Sequence, residues 1–120
     1  MNVLETFKKL KADGQKIVVV TSYEYWSAKI LNDTDINGIL IGDDLSMVIH
    51  GNENTINCDV ETIAMHTRAV KKGAKDKFLI AAMPFMSTRK GLYDALDNVE
   101  ILMKAGANAL KIEGVDGNEE

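Results

Sequence analysis

The sequence predicts an α/β fold built on a parallel sheet, and three observations carry that prediction. Short apolar runs, several of them β-branched, alternate with stretches of helical period along the 120 residues. The runs are nearly continuous in apolar residues, the pattern of strands covered on both faces. Two of them end in carboxylates: Ile39–Met47 reads ILIGDDLSM and Leu110–Gly114 reads LKIEG. In parallel α/β proteins the carboxyl ends of the strands form the rim where ligands and metals bind. Asp43, Asp44 and Glu113 fall at that rim.

Each element has a local cause. Thr6–Asp13 is predicted as the first helix, closed by Gly14. Ile17–Thr21, IVVVT, is expected as a fully buried strand. Ser22–Asn32 follows as a helix with Trp26, Ala28, Ile30 and Leu31 as its apolar part. Gly38–Gly42 is the second strand. A loop over His50–Asn57 is rich in turn formers, and Asp59 is placed to cap a helix from Val60 to Lys72. That helix carries Ile63, Ala64, Thr67 and Val70 on one side and ends at Gly73. Phe78–Ala82 is the third strand, stopped by Met83-Pro84. A helix over Tyr93–Lys104, closed by Ala105-Gly106, leads to a fourth strand at Ala109–Glu113. Helices between successive strands imply parallel pairing and right-handed crossovers. One domain over residues 1–120 accounts for the whole pattern.

Composition narrows the function. The chain is 46% apolar and 27% charged with a net charge of −4, and its pI is about 5.2. Nothing in that balance favours nucleic acid or an anionic membrane surface as partner. The apolar runs are strand-sized, too short to span a bilayer. The stretch MNVLETFKKLKADGQK is amphipathic and lacks a signal peptide's apolar segment. A single cysteine, Cys58, excludes an internal disulfide and fits a reducing, cytoplasmic setting; its side chain is expected to be a small, partly buried hydrophobe. No glycine-rich phosphate loop, Cys-x-x-Cys pair or nucleophile elbow is present.

The two-residue period of strands suggests which side chains share a face. Thr21 aligns with Val19 and Ile17, Asp43 with Ile41 and Ile39, Ala82 with Ile80 and Phe78, and Glu113 with Lys111 and Ala109. Were all these faces to point inward in a barrel, Thr21, Asp43, Ala82, Lys111 and Glu113 would surround one small volume. Lys111 and Glu113 are readable as a simple ion pair on a strand face; because a lysine buried inside a strand is costly unless paired, the site reading is preferred. His50 and His66 do not make a metal pair by spacing, and His66 is expected to form a local hydrogen bond. Tyr23, Tyr25 and Trp26 are expected to pack over the rim, with Tyr25 an alternative pocket residue. Met83, Met86 and Met103 are expected as core fillers, and Lys71, Lys72 and Lys75 as a solvated helix end.

Five blocks, TSYEYWSAK, IGDDLSMV, HTRAVKKGA, AAMPFMS and GANALKIEG, resemble in order and spacing the ketopantoate hydroxymethyltransferases. The resemblance runs from about Leu10 to Gly114. It implies a (β/α)8 TIM-barrel fold, of which this chain would be the first four β-α steps. It also implies Mg2+ at the carboxyl-end rim, an α-keto acid substrate (3-methyl-2-oxobutanoate), and 5,10-methylenetetrahydrofolate as one-carbon donor, with ketopantoate as product. Position by position, Asp43 matches a metal ligand that also meets the substrate, and Glu113 a residue close to the metal. Lys111 matches a lysine that binds the keto acid, and Asp44 occupies a substrate-binding serine position. The resemblance further implies a homo-oligomer, decameric in the family.

Three departures stand out. Ala82 replaces a second metal-binding aspartate of the family pattern, and Asp44 puts a carboxylate where a neutral hydroxyl would meet an anion. Like charges about 4 Å apart repel by roughly 1 to 4 kcal/mol, depending on exposure. Asp44 is expected to make up part of the charge missing at Ala82. Third, a (β/α)8 barrel needs about 250 residues, so the chain reads as part of a longer enzyme, and the family's general base, a glutamate, falls in the other half. Two competing readings are a half-barrel assembly module without turnover and a small flavodoxin-like domain with helices on both sheet faces.

Overall fold

The structure, a computed structural model, describes residues 3–114. The chain order is α1 (Val3–Ala12), β1 (Val19–Thr21), α2 (Tyr25–Asn32), β2 (Gly38–Ile41), α3 (Leu45–Val48), α4 (Val60–Gly73), β3 (Phe78–Ala82), α5 (Leu92–Ala105) and β4 (Ala109–Lys111). The four strands are all parallel and lie in the order β1-β2-β3-β4. Every crossover therefore steps to the next neighbour in one direction. A doubly wound, flavodoxin-like sheet reverses its strand order at a switch point, and this sheet has no reversal. Sequential parallel order is that of a barrel opened along one seam.

Register decides which residues face which layer. Ile39 pairs with Leu79 and Ile41 with Ala81, and all four are fully buried. They join Ala28 of α2, Ile63, Ala64 and Val70 of α4, and Leu102 of α5 in one core. This is the helix-covered face. Burying these side chains is worth roughly 1.5–3 kcal/mol for each large one. The opposite face carries Thr21, Leu40, Ile80 and Ala109 in register, with Val19 two residues before Thr21 on the same side. Val19 is 41% exposed there, and Leu40, Ile80 and Ala109 are half-buried. At the start of the strands Phe7 of α1 packs edge-on against Phe78, ring centroids 4.8 Å apart.

The expectation of a fully buried first strand is corrected here. β1 is shorter, and Ile17, Val18 and Val19 are exposed. Their β-branched pattern records strand propensity; β1 is an edge strand, with an open sheet face beside it. Trp26 and Ile30 of α2 are likewise exposed, as are Met86 and Met103; only Met83 fills the core as expected. Lys71 is half-buried, its stem under Gly106, where a Cβ would lie 2.9 Å from Lys71 Cγ.

Other local signals hold. Asp59 caps α4, its Oδ1 accepting from Thr62 N at 2.8 Å. Gly73 is required where α4 meets α2: a Cβ would lie 2.6 Å from the carbonyl oxygen of Tyr25. Two asparagines outside the sequence reading tie the sheet together. Asn37 Oδ1 accepts from Val18 N at 2.8 Å and Asn108 Oδ1 from Leu79 N at 2.9 Å. Each stands just before a strand; Asn37 binds the backbone just before β1 and Asn108 that of β3.

Candidate functional site

Asp43 departs from the strand alternation expected of it. Ile39 and Ile41 face the helices, whereas Thr21, Ala82 and Lys111 belong to the opposite face, with Ala82 paired to Lys111. Strict alternation would place Asp43 among the helices. It does not hold because β2 ends at Ile41. The chain then turns tightly into α3, with Leu45 N on Gly42 O at 3.2 Å and Ser46 N on Asp43 O at 3.1 Å. The turn releases Asp43 from the pleat and brings it to the rim.

There it shares a cleft of about 300 Å³ with Glu113, Thr88, Arg89, Pro84 and Met86. Asp43 has its carboxyl pushed above the ordinary range, first by burial and then by the negative charge of Glu113, with Lys111 acting the other way. Lys111 Nζ lies 3.1 Å from Glu113 Oε1. Both side chains are largely exposed, so the burial argument that assigned Lys111 to a site does not apply. Its place rests on the charges of Asp43 and Glu113 beside it. Glu113 lies two residues beyond the last residue of β4, Lys111.

Asp44 is turned elsewhere. Its Oδ2 accepts from the Tyr23 hydroxyl at 2.8 Å, and its Oδ1 lies 2.5 Å from where a Cβ on Gly42 would be. A side chain at position 42 would push the Asp44 carboxylate from this position. Tyr23 has its phenol pushed up to about 12 by burial, then by its bond to Asp44 and that carboxylate's charge. The geometry engages Asp44 with the phenol and lends no support to its replacing charge at Ala82. Ala82 is 4% exposed. Tyr25 is exposed at the start of α2, with Lys29 Nζ 5.9 Å from its ring centroid, and does not line this cleft.

Sequence reasoning missed three features. Thr88 and Arg89 enter the cleft from the loop after β3, and the run STRK behind Met-Pro-Phe-Met was the available signal. His50 and His66 are in contact, Nε2 to Nε2, at 3.1 Å, and His66 reaches the Tyr23 carbonyl rather than a local partner. A second cleft of about 550 Å³, between the start of α4 and α5, contains Asp59, Lys90 and Asp94 but neither Asp43 nor Glu113. Cys58 borders it, 5% exposed, its thiol pushed up to about 11, chiefly by burial.

A parallel sheet in sequential order, helices on one face, and carboxylates at the carboxyl rim define a partial (β/α) barrel. A solved structure of 2,3-dimethylmalate lyase, a member of the PEP mutase/isocitrate lyase superfamily, has the same fold. It superposes with a TM-score of 0.67 at 12% identity, over 92% of this chain and 39% of that one. The family model for ketopantoate hydroxymethyltransferase matches residues 2–119, and the chain belongs to that family. Relatives named 3-methyl-2-oxobutanoate hydroxymethyltransferase include those of Coxiella burnetii, 46% identical over 93% of this chain and 42% of the relative, and Clostridioides difficile, 46% over 94% and 42%. That of Bdellovibrio bacteriovorus is 48% identical over 98% and 45%. The chain thus spans about two fifths of the length of the curated relatives it matches.

Proposed function

We propose that this chain supplies the first half of a site that transfers a hydroxymethyl group from 5,10-methylenetetrahydrofolate to 3-methyl-2-oxobutanoate, forming ketopantoate for pantothenate biosynthesis. The single observation that carries the reading is the convergence of Asp43 and Glu113 on one rim cleft beside Lys111. Two oxygen-donor side chains whose negative charges oppose each other suit a hard divalent cation. Asp43 and Glu113 would hold Mg2+, with water completing its shell where Ala82 provides no donor. The bound ion would draw electrons from the keto acid and make its C3 proton easier to remove.

The protein's own groups have distinct tasks. Lys111, now paired to Glu113, would meet the substrate carboxylate, and Arg89 brings a second positive charge to the same cleft. Asp44 would border the keto acid with its charge shared with the Tyr23 phenol, which lowers the repulsion an anion meets there. The base that takes the C3 proton is proposed to come from the other half of the barrel, so these residues bind and orient without turnover by themselves.

Calorimetry of 3-methyl-2-oxobutanoate binding, with and without Mg2+, tests this. The expected result is binding that requires Mg2+ and disappears in Asp43→Asn. Binding indifferent to Mg2+ and to that substitution would defeat the proposal.

A second reading rests on the open face. Ile17, Val18 and Val19 are exposed beside edge strand β1, and free strand edges template pairing. We propose that this face is closed in an oligomer or by the remaining barrel strands. Sedimentation of the chain as a 13.2 kDa monomer at high concentration would argue against self-association.

A further inference from the structure

We propose that His50 and His66 form a separate site for a divalent transition-metal ion of borderline softness, such as Zn2+ or Co2+. This inference is independent of the hydroxymethyl-transfer reading. The two imidazoles meet edge to face, with ring centroids 5.3 Å apart, an interplanar angle of 84° and Nε2 atoms 3.1 Å apart. Two nitrogens bound to one ion at about 2.0–2.1 Å lie about 2.9 Å apart at a right angle and about 3.4 Å apart at the tetrahedral angle. The observed separation falls between those two geometries.

The orientation of His66 is the second observation. Its Nδ1 lies 2.5 Å from the carbonyl oxygen of Tyr23. A carbonyl only accepts, so Nδ1 carries the hydrogen and Nε2 keeps its lone pair, aimed at His50. Metal-binding histidines are held this way, the far ring N–H fixed on a backbone carbonyl or carboxylate.

The mounting of the pair is the third. His66 stands in the interior of α4, whose buried face of Ile63, Ala64, Thr67 and Val70 anchors the helix. His50 stands just past the C-cap Ile49 of α3, its backbone N–H bonded to Leu45 O at 3.1 Å, and Gly51 follows at φ +74°. One ligand is on a rigid element and the other is tied to a short turn of helix. Without an ion, His50 Nε2–H donates to His66 Nε2. To hold an ion, His50 would carry its hydrogen on Nδ1 instead, which would leave both Nε2 lone pairs available to the metal.

Among the described residues no group of three His, Cys, Asp or Glu converges for a metal, so water completes this ion's shell and the affinity is modest. Two imidazoles favour Zn2+, Co2+ or Ni2+ over Mg2+, whose preference is oxygen. The two sites therefore differ in ligand hardness, and neither histidine lines the cleft of Asp43 and Glu113.

Titration of the 120-residue chain with Co2+ and then Zn2+ at mildly alkaline pH provides the test, read by visible absorption and by imidazole 15N spectra. The expected result is one ion per chain, with both Nε2 resonances shifting together and Mg2+ leaving them unmoved. His50→Leu should keep the unfolding midpoint and weaken binding by about tenfold or more. Absence of binding at millimolar Co2+, equal binding by His50→Leu, or equal shifts with Mg2+ would overturn the proposal.

Discussion

Tyr23 and Asp44 are joined across the rim: the phenol donates to Asp44 Oδ2 at 2.8 Å, while burial and that carboxylate push the phenol up to about 12. The bond has a pH signature. An unfolded tyrosine loses its proton near the ordinary value of about 10. Between about pH 10 and 12 the unfolded chain therefore releases a proton that the folded chain keeps, and stability falls as pH rises through that window. Asp44→Asn removes the charge and should lose less stability from about pH 9 to 11 than the parent chain. Urea midpoints at the two ends check this, and parallel slopes would dismiss the bond.

Asp43 works in the other direction. Its carboxyl is pushed up by burial and then by Glu113, so its ionised form costs stability at neutral pH. The folded chain binds that proton more tightly than the unfolded one, so stability is regained as pH falls through the raised value. Asp43→Asn should raise stability at neutral pH by a few tenths to about 1 kcal/mol, discounted for solvent screening, and flatten this dependence. Saturating Mg2+ should then stabilise the parent chain and leave the variant unchanged. Thermal denaturation with and without Mg2+ reads both effects.

Asp59 is the opposite case. Its carboxyl is held below the ordinary range, first by the Thr62 hydroxyl and then by the Thr62 backbone N–H. That stability is present above the unfolded value of about 4 and is lost as pH falls through the lowered one. Asp59→Ala should cost about 1 kcal/mol at neutral pH. The cost should vanish in acid, which urea unfolding at two pH values would show.

Ala82 tests the charge balance of the rim. It pairs with Lys111 on β3 and β4 and is 4% exposed. Ala82→Asp should tighten Mg2+ binding by about tenfold, since an added carboxylate supplies charge and a donor to a hard cation. Calorimetric titration with Mg2+ decides it, and unchanged affinity would remove Ala82 from the site.

The fold was legible where local causes act alone. Asp59 capping, the stop at Gly73 and the run Phe78–Ala82 sit where their residue types place them. β1 was overread because IVVVT specifies extended chain but not which neighbour covers it. At the site, Asp43 was found by the right end of the right strand and the wrong face. A turn of two residues after Ile41 cancels the alternation that assigned it. Lys111 and Glu113 form the exposed ion pair that the sequence offered as the alternative, and their exposure removes the burial argument that preferred a site. The contact between His50 and His66 depends on how α3 returns the chain toward α4, a tertiary outcome that no spacing rule encodes. Among the described residues no helix is long and apolar enough to cross a membrane.

The most direct measurement is a 15N–1H correlation spectrum of the chain, recorded with Mg2+, with 3-methyl-2-oxobutanoate, and with both. The account predicts dispersed signals that shift at residues 42–45 and 111–114 only when both are present. A dispersed spectrum indifferent to the pair, or shifts confined to residues away from Asp43 and Glu113, would contradict it.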